Sequence, residues 1–555
     1  MERVAASMGA LQAVNPRFES VIDVPNGGVL LALPVLFACG LLEEVNHYFQ
    51  LPKGYYGLES IFLLLALMAL ARIKTIEDLR YCAPGEWGKL LGLDRIPEVR
   101  TLREKINHLS TQGKAEEWSA ALCKKWMHAD GEASLTTYID GHVRVYHGNQ
   151  TQLPRHYVSR EKLCLRATVD YWVNAMDGQP FFLVNKAVDP GLLQVLENEI
   201  VPRLEKDLPA LVTPEELENN PYLHRFTIIF DREGYSPEFM KRMKEKRIAC
   251  ITYHKHPKEN WSIEEFSAQK ISSFAGNSIE VKLAERGSLL SNGLWVREVR
   301  RLSENEHQTS ILSTDYCSDL TIVACKMASR WSQENFFKYM REHYNLDRLS
   351  DYSLDEIPDT TQVVNPNYRQ LDSEVKRYNA KLSRLLAEFG SVHLEGKIEE
   401  TLIEQYQKKK EDLQEKILEI QKNLSVAKEE RKKTKHHIPL GALPEAQKFS
   451  RLSTKTKHLV DTIKMVAYRA ETAMVNLLRE AMARYHDGRS LLRSIYQTDA
   501  DILPNEKEKT LTVRLHHLAN PLSDDALRHL CKELNETEVV FPGTELRLIY
   551  ILGTN

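Results

Sequence analysis

The chain has 555 residues, of which 43% are hydrophobic and 27% are charged, and its formal net charge is −3. The length exceeds what one hydrophobic core supports, so about three or four domains are expected, with the composition of an ordinary soluble protein. The nearly balanced charge excludes a uniformly basic protein, so any nucleic-acid-binding surface would have to be a local cluster.

The spacing of the cysteines and the length of the apolar runs indicate the cellular compartment in which the protein is expected. The eight cysteines include no C-x-x-C pair, which argues against a zinc module and a disulfide framework and favours a reducing cytosol. The most apolar runs, 28–42 and 61–71, are shorter than the roughly 20 residues that span a bilayer. The N-terminus carries no signal-peptide pattern. We therefore expect a cytoplasmic protein with buried apolar helices and no membrane association.

The N-terminal quarter is predicted to be helical. Residues 1–26 lack periodicity and are expected to form a flexible arm. Residues 27–130 are expected to form a helical DNA-binding domain, with apolar residues at helical spacing in 58–70 and 106–126.

A helix-turn-helix pattern lies within this domain. Residues 76–80 read as a first helix, a Pro-Gly pair at 84–85 breaks it, and a second helix opens at Pro97. The second helix of such a motif enters the major groove, where this one would present Arg100 and Arg103. A helical bundle with a solvated basic face is the alternative.

Residues 131–275 alternate strand-like and helix-like runs, which predicts an α/β domain with a mixed sheet. The strand-like runs are 135–140, 142–147, 163–175, 180–187, 226–230 and 248–253, and the helix-like runs are 191–208 and 237–246. An Asp-Gly pair at 177–178 lies between two β-rich runs and predicts a hairpin.

A β-rich segment interrupts this plan before helical spacing returns. Residues 276–320 contain short strand-like runs at 278–283, 293–301 and 309–312, which predict a small all-β insertion. Residues 321–350 then read as the last helix of the α/β domain.

Carboxylates lie where core packing does not explain them. Asp140 and Asp231 each end an apolar, strand-like run, and Glu334 lies on the helix-like run that follows the insertion. Because a charge is costly to bury without a partner, carboxylates at strand ends indicate a function. Three acids from three elements suffice to hold two magnesium ions, the arrangement that cuts phosphodiester bonds. A turn or capping role is the alternative for each aspartate.

The choice of the third acid depends on its neighbours. Arg330, Glu334, Lys338 and Arg341 share one face of a helix, which favours Glu334, although a ladder of exposed ion pairs is the alternative. The competing acids are Glu233, Glu304, Glu306 and Glu342.

These motifs resemble the bacterial insertion-sequence transposases of the DDE type, whose catalytic core has a ribonuclease-H-like fold. Members with a β insertion before the last acid share the signature Y-x2-R-x3-E-x6-K on the final catalytic helix. This chain reads Met327-x2-Arg330-x3-Glu334-x6-Arg341, with methionine for tyrosine and arginine for lysine. The sequence DREG that opens at Asp231 resembles the acidic motif at their second aspartate.

The resemblance spans roughly residues 27–350 and implies both a fold and a reaction. The fold would be multidomain α/β, with a ribonuclease-H-like mixed-sheet core and a small all-β insertion between an N-terminal helical domain and a largely helical, coiled-coil C-terminal region. The reaction would be cleavage of transposon ends and joining of the 3′-hydroxyl to target DNA. Asp140, Asp231 and Glu334 would hold Mg²⁺, with Mn²⁺ as a substitute.

The resemblance also implies partners and a location. The partners would be double-stranded transposon ends and target DNA, bound by a homodimer or larger assembly in the bacterial cytoplasm, at the nucleoid. A DNA-binding regulatory protein that no longer cuts DNA and a plain nuclease of the same fold are the alternatives.

Several basic and aromatic side chains are candidates for DNA contact. Trp295 lies among arginines on a predicted strand, which suits stacking on a base pulled from the duplex, although a core position is the alternative. Besides Arg100 and Arg103, the candidates are Arg232, Trp295, Arg297, Arg300, Arg301, Arg330, Lys338 and Arg341.

The C-terminal part begins with a charged helical region at 351–445 and ends with a helical and α+β domain at 446–555. Positions with 3,4 spacing predict a helical hairpin or a short coiled coil. They are Ile403, Tyr406, Lys410, Leu413, Ile417, Ile420, Leu424 and Ala427. This seam could pair with a second chain in a DNA-assisted dimer or fold back on residues 447–484, and Lys410 weakens a parallel self-pair.

Overall fold

The computed structural model describes the chain in two compact units. The described residues are 2–148, 153–158, 161–257, 259–272, 278–348, 354–355, 358–392, 400–444, 451–482 and 487–553. Unit 1 comprises 1–147, 155–353 and 452–555, and unit 2 comprises 148–154 and 354–451.

The described strands and helices follow in chain order. The strands are β1 (Val21–Val24), β2 (Thr136–Val145), β3 (Arg155–Val158), β4 (Leu163–Asn174), β5 (Pro180–Lys186), β6 (Phe226–Phe230), β7 (Ile248–Tyr253), β8 (Ser267–Ser272), β9 (Ser278–Leu289), β10 (Trp295–Leu302), β11 (Gln308–Ser313), β12 (Leu354–Asp355), β13 (Gln362–Val364), β14 (His437–Pro439), β15 (Arg451–Leu452), β16 (Ala500–Asn505), β17 (Thr510–Leu515) and β18 (Arg547–Leu552). The helices are α1 (Glu2–Ser7), α2 (Leu33–Ala38), α3 (Val45–Tyr48), α4 (Leu58–Leu70), α5 (Pro84–Lys89), α6 (Val99–Thr111), α7 (Ala115–Asp130), α8 (Leu192–Val195), α9 (Val201–Asp207), α10 (Pro214–Asn219), α11 (Pro237–Glu245), α12 (Leu320–Ala328), α13 (Trp331–Tyr344), α14 (Pro366–Ser391), α15 (Glu400–Lys433), α16 (Lys455–Glu480), α17 (Gly488–Gln497) and α18 (Pro521–Asn535).

A mixed sheet forms the centre of unit 1. In the described residues its order is β3-β4-β2-β6-β7-β11-β10-β9-β8, and β5 pairs with β4. Strands β2, β6 and β7 run parallel, while β4 and β5 continue the sheet in antiparallel fashion. Every residue of β6 is buried, as expected for a continuous apolar run in the middle of a sheet. The predicted α/β class with a mixed sheet is confirmed.

Strand β2 is longer than the sequence predicts. The expected break at Gly141 is wrong, because β2 pairs with β4 without interruption from Tyr138 to Val145. A Cβ atom at Gly141 would lie 3.2 Å from the Tyr171 ring on the neighbouring strand, a tight contact that glycine avoids. Asp140 therefore lies within a strand and not at its end.

The β-rich segment predicted as an insertion continues the central sheet. Its strands are present, but β11 pairs with β7, with Ile311 opposite Tyr253, and β10, β9 and β8 follow in antiparallel order. Helix α12 packs against β7, β10 and β11. The segment thus shares its hydrogen bonds and one of its core clusters with the α/β sheet.

The predicted last helix is two helices. The α12 segment ends at Ala328 and α13 begins at Trp331, so Arg330 lies in the turn between them. The Ser332 hydroxyl donates a hydrogen bond to the Met176 carbonyl oxygen at 2.9 Å, which anchors the first turn of α13 to the loop after β4. Because of this turn, Arg330 is not part of the helical face that the sequence predicts.

The N-terminal and C-terminal segments share the core of unit 1. Helix α4, which is apolar on nearly all sides, packs against α16, and β1 pairs with β16 in a second sheet of order β1-β16-β17-β18. Residues 2–26 are therefore folded and do not form the flexible arm expected for residues 1–26, with Ala6, Phe18 and Val24 buried. No described helix is both long enough and apolar enough to cross a membrane.

The predicted helix-turn-helix has a different local structure. Residues Ile76–Tyr81 form a 3-10 turn that begins after Thr75, whose hydroxyl oxygen accepts a hydrogen bond from the Asp78 backbone N–H at 3.2 Å. The short α5 and then α6 follow, and α6 packs against this turn and against α16. The first helix of the expected motif is thus absent from the described residues.

Unit 2 contains an antiparallel helical hairpin of α14 and α15, closed at its base by pairing of β13 with β14. The predicted seam of α15 lies against α14, where Val375, Leu424 and Ala427 form a buried cluster with Tyr378 and Leu382. A helical hairpin is therefore the arrangement that this chain adopts.

Candidate active site

Asp140 lies where β2 loses its parallel neighbour. The last pair between β2 and β6 is Ile139 with Phe230, and Asp140 continues β2 opposite Trp172 of β4. Its carboxylate Oδ1 accepts a hydrogen bond from the Gly141 backbone N–H at 2.9 Å. The side chain is 27% exposed, so the carboxylate is accessible at the carboxyl edge of β6.

Asp231 follows β6 directly and lies on the same edge. Its Oδ1 accepts a hydrogen bond from the Arg232 backbone N–H at 2.7 Å, and a 3-10 turn begins at the next residue. The Thr252 hydroxyl of β7 donates to the Asp231 carbonyl oxygen at 3.3 Å, which fixes the backbone at this point. Asp231 is therefore partly exposed, whereas every residue of β6 is buried.

Arg330 connects the third acid to the sheet. Its Nη1 donates to Asp140 Oδ2 at 3.3 Å, and its Nη2 donates to Glu334 Oε1 at 2.5 Å. One guanidinium thus lies between a carboxylate of β2 and a carboxylate of α13. Arg330 and Asp140 are 190 residues apart in sequence, and the packing of α13 on the sheet brings them together.

Gln333 holds the start of α13 against the sheet. It is fully buried, and its side-chain Nε2 donates to Asn174 Oδ1 at 2.9 Å and to the Trp172 carbonyl oxygen at 3.1 Å. A third contact reaches the Tyr138 carbonyl oxygen at 3.3 Å. Because Gln333 precedes Glu334, these bonds direct Glu334 toward the exposed edge where Asp140 lies.

The carboxylates influence one another electrostatically. Burial is the main cause that raises the pKa of Asp140 to about 6, and repulsion from Asp231 and Glu334 adds to it, while Arg330 opposes the shift. Asp140, Asp231 and Glu334 in turn raise the pKa of Arg330 against the opposing effect of burial. Arg330 therefore contacts Asp140 and Glu334 directly, and Asp231 is close enough to affect the pKa of the same guanidinium.

The donor set fits a hard divalent cation. It consists of carboxylate oxygens without thiolate or imidazole, which suits Mg²⁺ or Mn²⁺ and not a structural zinc ion. After burial, repulsion from Asp231 and Glu334 also contributes to the raised pKa of Asp140, and a bound cation would relieve that repulsion. Among the described residues, the ligand atoms of two aspartates and a histidine, Asp23, Asp501 and His516, all lie within 4.8 Å of one another, a closer group than the three acids of the candidate site form. Arg514 pairs with Asp501 of this second group at 2.6 Å.

Other acids near the edge were missed or only considered as competitors by sequence reasoning. Partial desolvation, and then repulsion from Asp189 and Asp231, raise the pKa of Glu233. Asp189 accepts a hydrogen bond from the Tyr171 hydroxyl at 2.6 Å, and no motif marks either residue. The remaining competitors lie in the turn after β10 and near the end of α13: Glu304, Glu306 and Glu342.

Some predicted DNA-contact residues are accessible on the side of the candidate site. Lys338 is exposed on α13, Arg341 is half-buried there, and Arg232 is exposed beside Asp231. Arg301 is exposed near the end of β10 that is level with the carboxyl end of β7. Two of these cations are local neighbours of the candidate acids, because Arg232 follows Asp231 and Lys338 lies one helical turn after Glu334.

Arg297 and Arg300 have structural partners. Arg300 is 3% exposed and pairs with Glu298 at 2.8 Å, while its guanidinium lies 4.3 Å from the Trp261 ring centroid. Arg297 is 12% exposed and pairs with Glu285 at 2.5 Å. Their basic side chains stabilise the extended sheet, so neither is available for DNA contact in this conformation.

Trp295 lies toward the other end of the sheet. Val299 of β10 is level with Tyr253 at the carboxyl end of β7, and Trp295 precedes it by four residues, about 13 Å of strand. Its ring is 49% exposed and stacks on Tyr316 at 5.5 Å between centroids. The structure therefore does not bring Trp295 to the carboxylates.

The arginines of the predicted recognition helix are exposed. Arg100 on α6 has 89% of its side chain exposed and pairs with Glu104 at 3.0 Å. Arg103 is 50% exposed and pairs with Glu77 in the preceding turn. Both could exchange an exposed carboxylate for a phosphate, because such surface pairs are weak.

The signature position occupied by methionine belongs to the core. Met327 is buried in a cluster with Tyr138, Val299 and Val323, so it contacts no solvent-facing partner. Trp331, which no prediction singled out, is instead 67% exposed one turn before Glu334. Its exposure next to Arg330 was not evident, because the sequence predicts an uninterrupted helix there.

Three carboxylates and a shared arginine at one edge of a mixed sheet define a candidate centre for metal-assisted phosphodiester chemistry. The chain matches the model of the protein family described as "Transposase protein" over residues 1–554, and it belongs to that family. The comparison with curated proteins found no match. The predicted resemblance to a transposase is thus confirmed, while the DDE type and the roles of individual residues remain predictions.

Proposed function

We propose that this transposase is of the DDE type and that Asp140, Asp231 and Glu334 form its catalytic site. The observation that carries the proposal is that Arg330 contacts both Asp140 and Glu334, while Asp231 acts on the pKa of the same guanidinium, in a chain of a transposase family. The strand order β5-β4-β2-β6-β7, with antiparallel strands followed by parallel ones, supports a ribonuclease-H-like core.

The three acids would hold Mg²⁺, or Mn²⁺ in its place. When bound, the divalent metal would polarise the scissile phosphate and activate the attacking water or 3′-hydroxyl. Asp140 and Asp231 supply rigid carboxylates from the sheet, and Glu334 supplies one from a helix that Gln333 anchors. Arg330 would release at least one carboxylate when the metal binds and could then contact a DNA phosphate.

DNA would lie across the exposed edge that carries the site. Arg232, Arg301, Lys338 and Arg341 would contact its phosphates, and their charges would make binding dependent on salt. The N-terminal region would recognise the transposon end through Arg100 and Arg103 on α6. A homodimer or larger assembly would form on DNA in the bacterial cytoplasm, because strand transfer requires two ends held together.

Two other functions use the same scaffold. A regulatory protein would bind the transposon end without cutting it, and a plain nuclease would cut without a preference for that end. The presence of all three acids favours an active enzyme over a retired one.

The test uses DNA that carries the inverted repeats bordering the reading frame. Asp140→Ala, Asp231→Ala and Glu334→Ala should each reduce Mg²⁺-dependent cleavage by about two orders of magnitude or more, with end binding nearly unchanged. Glu342→Ala, an exposed acid on the same helix, is the matched control and should cleave normally. If the wild-type protein binds the end DNA without cleaving it, the result would support the regulatory function. If it cleaves unrelated DNA equally well, the result would support the plain nuclease.

A further inference from the structure

Glu471 is a fully buried carboxylate in the middle of α16. It has no exposed surface, and four side chains from other segments of unit 1 surround it. An ionised carboxylate at such a position is costly unless its charge and its lone pairs are matched. The identity of its partners therefore indicates why the carboxylate is there.

Two of the partners are tyrosines of α13. The Tyr339 hydroxyl donates to Glu471 Oε1, and the Tyr344 hydroxyl donates to Glu471 Oε2. Each oxygen of one carboxylate thus holds a different point on the helix that carries Glu334. Tyr344 is buried and Tyr339 is partly buried, so water cannot easily take the place of either bond.

The other two partners are arginines from distant parts of the chain. Arg72 follows α4 and lies 2.8 Å from Glu471 Oε1, and Arg489 of α17 lies 3.4 Å from the same oxygen. Arg72 Nη2 also donates to the Tyr339 hydroxyl at 2.9 Å. The Arg72 backbone has a φ of 64°, a left-handed conformation that is unfavourable for a residue other than glycine. The strained backbone thus belongs to Arg72, the residue whose side chain contacts both Glu471 and Tyr339.

The side chains of α13 that contact Glu471 lie on a different side of the helix from Glu334. Glu334 and Tyr339 are five positions apart, so their side chains point roughly 140° apart around the helix. Gln333 holds the first turn of α13 to the sheet, while Tyr339 and Tyr344 hold its second half to α16. The helix is therefore fixed at both ends on its inner side, and Glu334 projects from its outer side.

We propose that Glu471 is a positioning residue, which sets the rotation and axial position of α13 through Tyr339 and Tyr344. The catalytic consequence rests on the proposed function, because it requires Glu334 to meet Asp140 and Asp231 at a metal. A displacement of about 1 Å at such a site is sufficient to reduce the rate about 100-fold.

The test compares three single variants of the full chain, and the double variant of Tyr344→Phe with Glu471→Gln. Tyr344→Phe removes one hydroxyl and leaves every charge in place, and Glu471→Gln keeps the side-chain shape but removes the carboxylate charge. Asp207→Asn is the matched control, because Asp207 is also buried and pairs with Arg203 at 3.2 Å, on α9. The readouts are hydrogen exchange of the α12 and α13 amides, end-DNA affinity, and the Mg²⁺ dependence of cleavage per folded molecule.

We expect Tyr344→Phe and Glu471→Gln to speed exchange in α13 but not in α12. Cleavage should slow about 10-fold to 100-fold and half-saturation should need a higher Mg²⁺ concentration by a similar factor, with end-DNA affinity unchanged. In the double variant the losses should not add, because both substitutions act on the same contact. Asp207→Asn should change none of these values per folded molecule.

Two results would overturn the proposal. One is wild-type hydrogen exchange of α13 in both variants, and the other is a loss of cleavage that is fully explained by a smaller folded fraction, as in the control. If Glu471→Gln does not fold, Tyr344→Phe alone decides the matter. If the wild-type protein cleaves no DNA, the proposed function fails, while faster exchange confined to α13 still supports the positioning role of Glu471.

Discussion

Arg330 Nη1 lies 3.3 Å from Asp140 Oδ2, although the two residues belong to a helix–helix turn and a central strand. The same guanidinium contacts Glu334, and Asp231 also raises its pKa, so one protein cation interacts electrostatically with all three carboxylates. This arrangement keeps the acids together when no metal ion is bound. Metal and Arg330 are therefore expected to compete for the same negative charge.

The first prediction concerns Arg330→Gln. Without a metal ion the variant should be less stable than the wild-type protein by about 1–3 kcal/mol, because the carboxylates lose their charged donor. Mg²⁺ should restore much of this loss and so stabilise the variant more than the wild type. Urea unfolding with EDTA and with Mg²⁺ measures both differences. Arg242→Gln, which removes an exposed pair with Glu197, should show no such dependence on Mg²⁺. Equal stabilisation of both proteins by Mg²⁺ would contradict the competition.

The second prediction follows from the pKa of Asp140. Because burial and the neighbouring carboxylates raise it to about 6, the folded metal-free protein binds this proton more tightly than the unfolded chain does. The ionised carboxylate therefore destabilises the fold increasingly as pH rises from about 4 to about 6. Asp140→Asn should be more stable than wild type by about 1–3 kcal/mol at pH 7 to 8, and the gain should vanish toward pH 4.

Urea unfolding in EDTA across this pH range tests the sign. Asp525→Asn removes an exposed carboxylate on α18 and serves as the control for the loss of a surface charge. A constant difference for Asp140→Asn between pH 5 and pH 8 would show that its carboxylate is not perturbed in the fold. Cleavage should be lost in Asp140→Asn at every pH, because an amide is a weak metal ligand.

The sequence marked Asp140 and Asp231 as candidates because an acid beside an apolar run is a local pattern, and it marked Glu334 because of its basic neighbours at helical spacing. It could not locate Gln333 or Glu471, since each is a polar residue in a helix whose burial depends on segments far away in the chain. The break before Trp331 was also missed, because the apolar spacing continues through it and only the contacts of the turn reveal it. The sequence predicted β10 correctly as a strand. It did not predict that β10 belongs to the central sheet, because that pairing depends on contacts between distant segments.

The third prediction separates two adjacent arginines of β10. Arg301 is exposed, so Arg301→Ala should weaken end-DNA binding and reduce the slope of log affinity against log salt by about 1, without loss of stability. Arg300 is buried against Glu298, so Arg300→Ala should destabilise the fold by about 3–5 kcal/mol. Binding titrations at several salt concentrations, together with thermal unfolding, distinguish the two effects. An unchanged salt slope in Arg301→Ala would remove this residue from the DNA surface.

The last prediction concerns the apolar seam of α15. The sequence left open whether this seam pairs with a second chain, and in the structure Leu424 and Ala427 are buried against Val375 of α14 in the same chain. Leu424→Ala should therefore destabilise the hairpin by about 2–4 kcal/mol and speed amide exchange in both α14 and α15. Leu418→Ala is the matched control, because Leu418 is on the same helix but 58% exposed, and its loss should change stability by less than about 0.5 kcal/mol.

Protein concentration distinguishes a hairpin within one chain from a pair of chains. If α14 alone covers the seam, exchange in α14 and α15 is independent of concentration in both the wild type and Leu424→Ala, and light scattering gives the same mass for both. If two chains share the seam, dilution should speed exchange in the wild-type protein and Leu424→Ala should lower its measured mass. The dimer expected on DNA would then have to form through this seam. With the seam already filled by α14, the surface that joins two copies must instead lie elsewhere on the chain, and Leu424→Ala should leave assembly on end DNA intact.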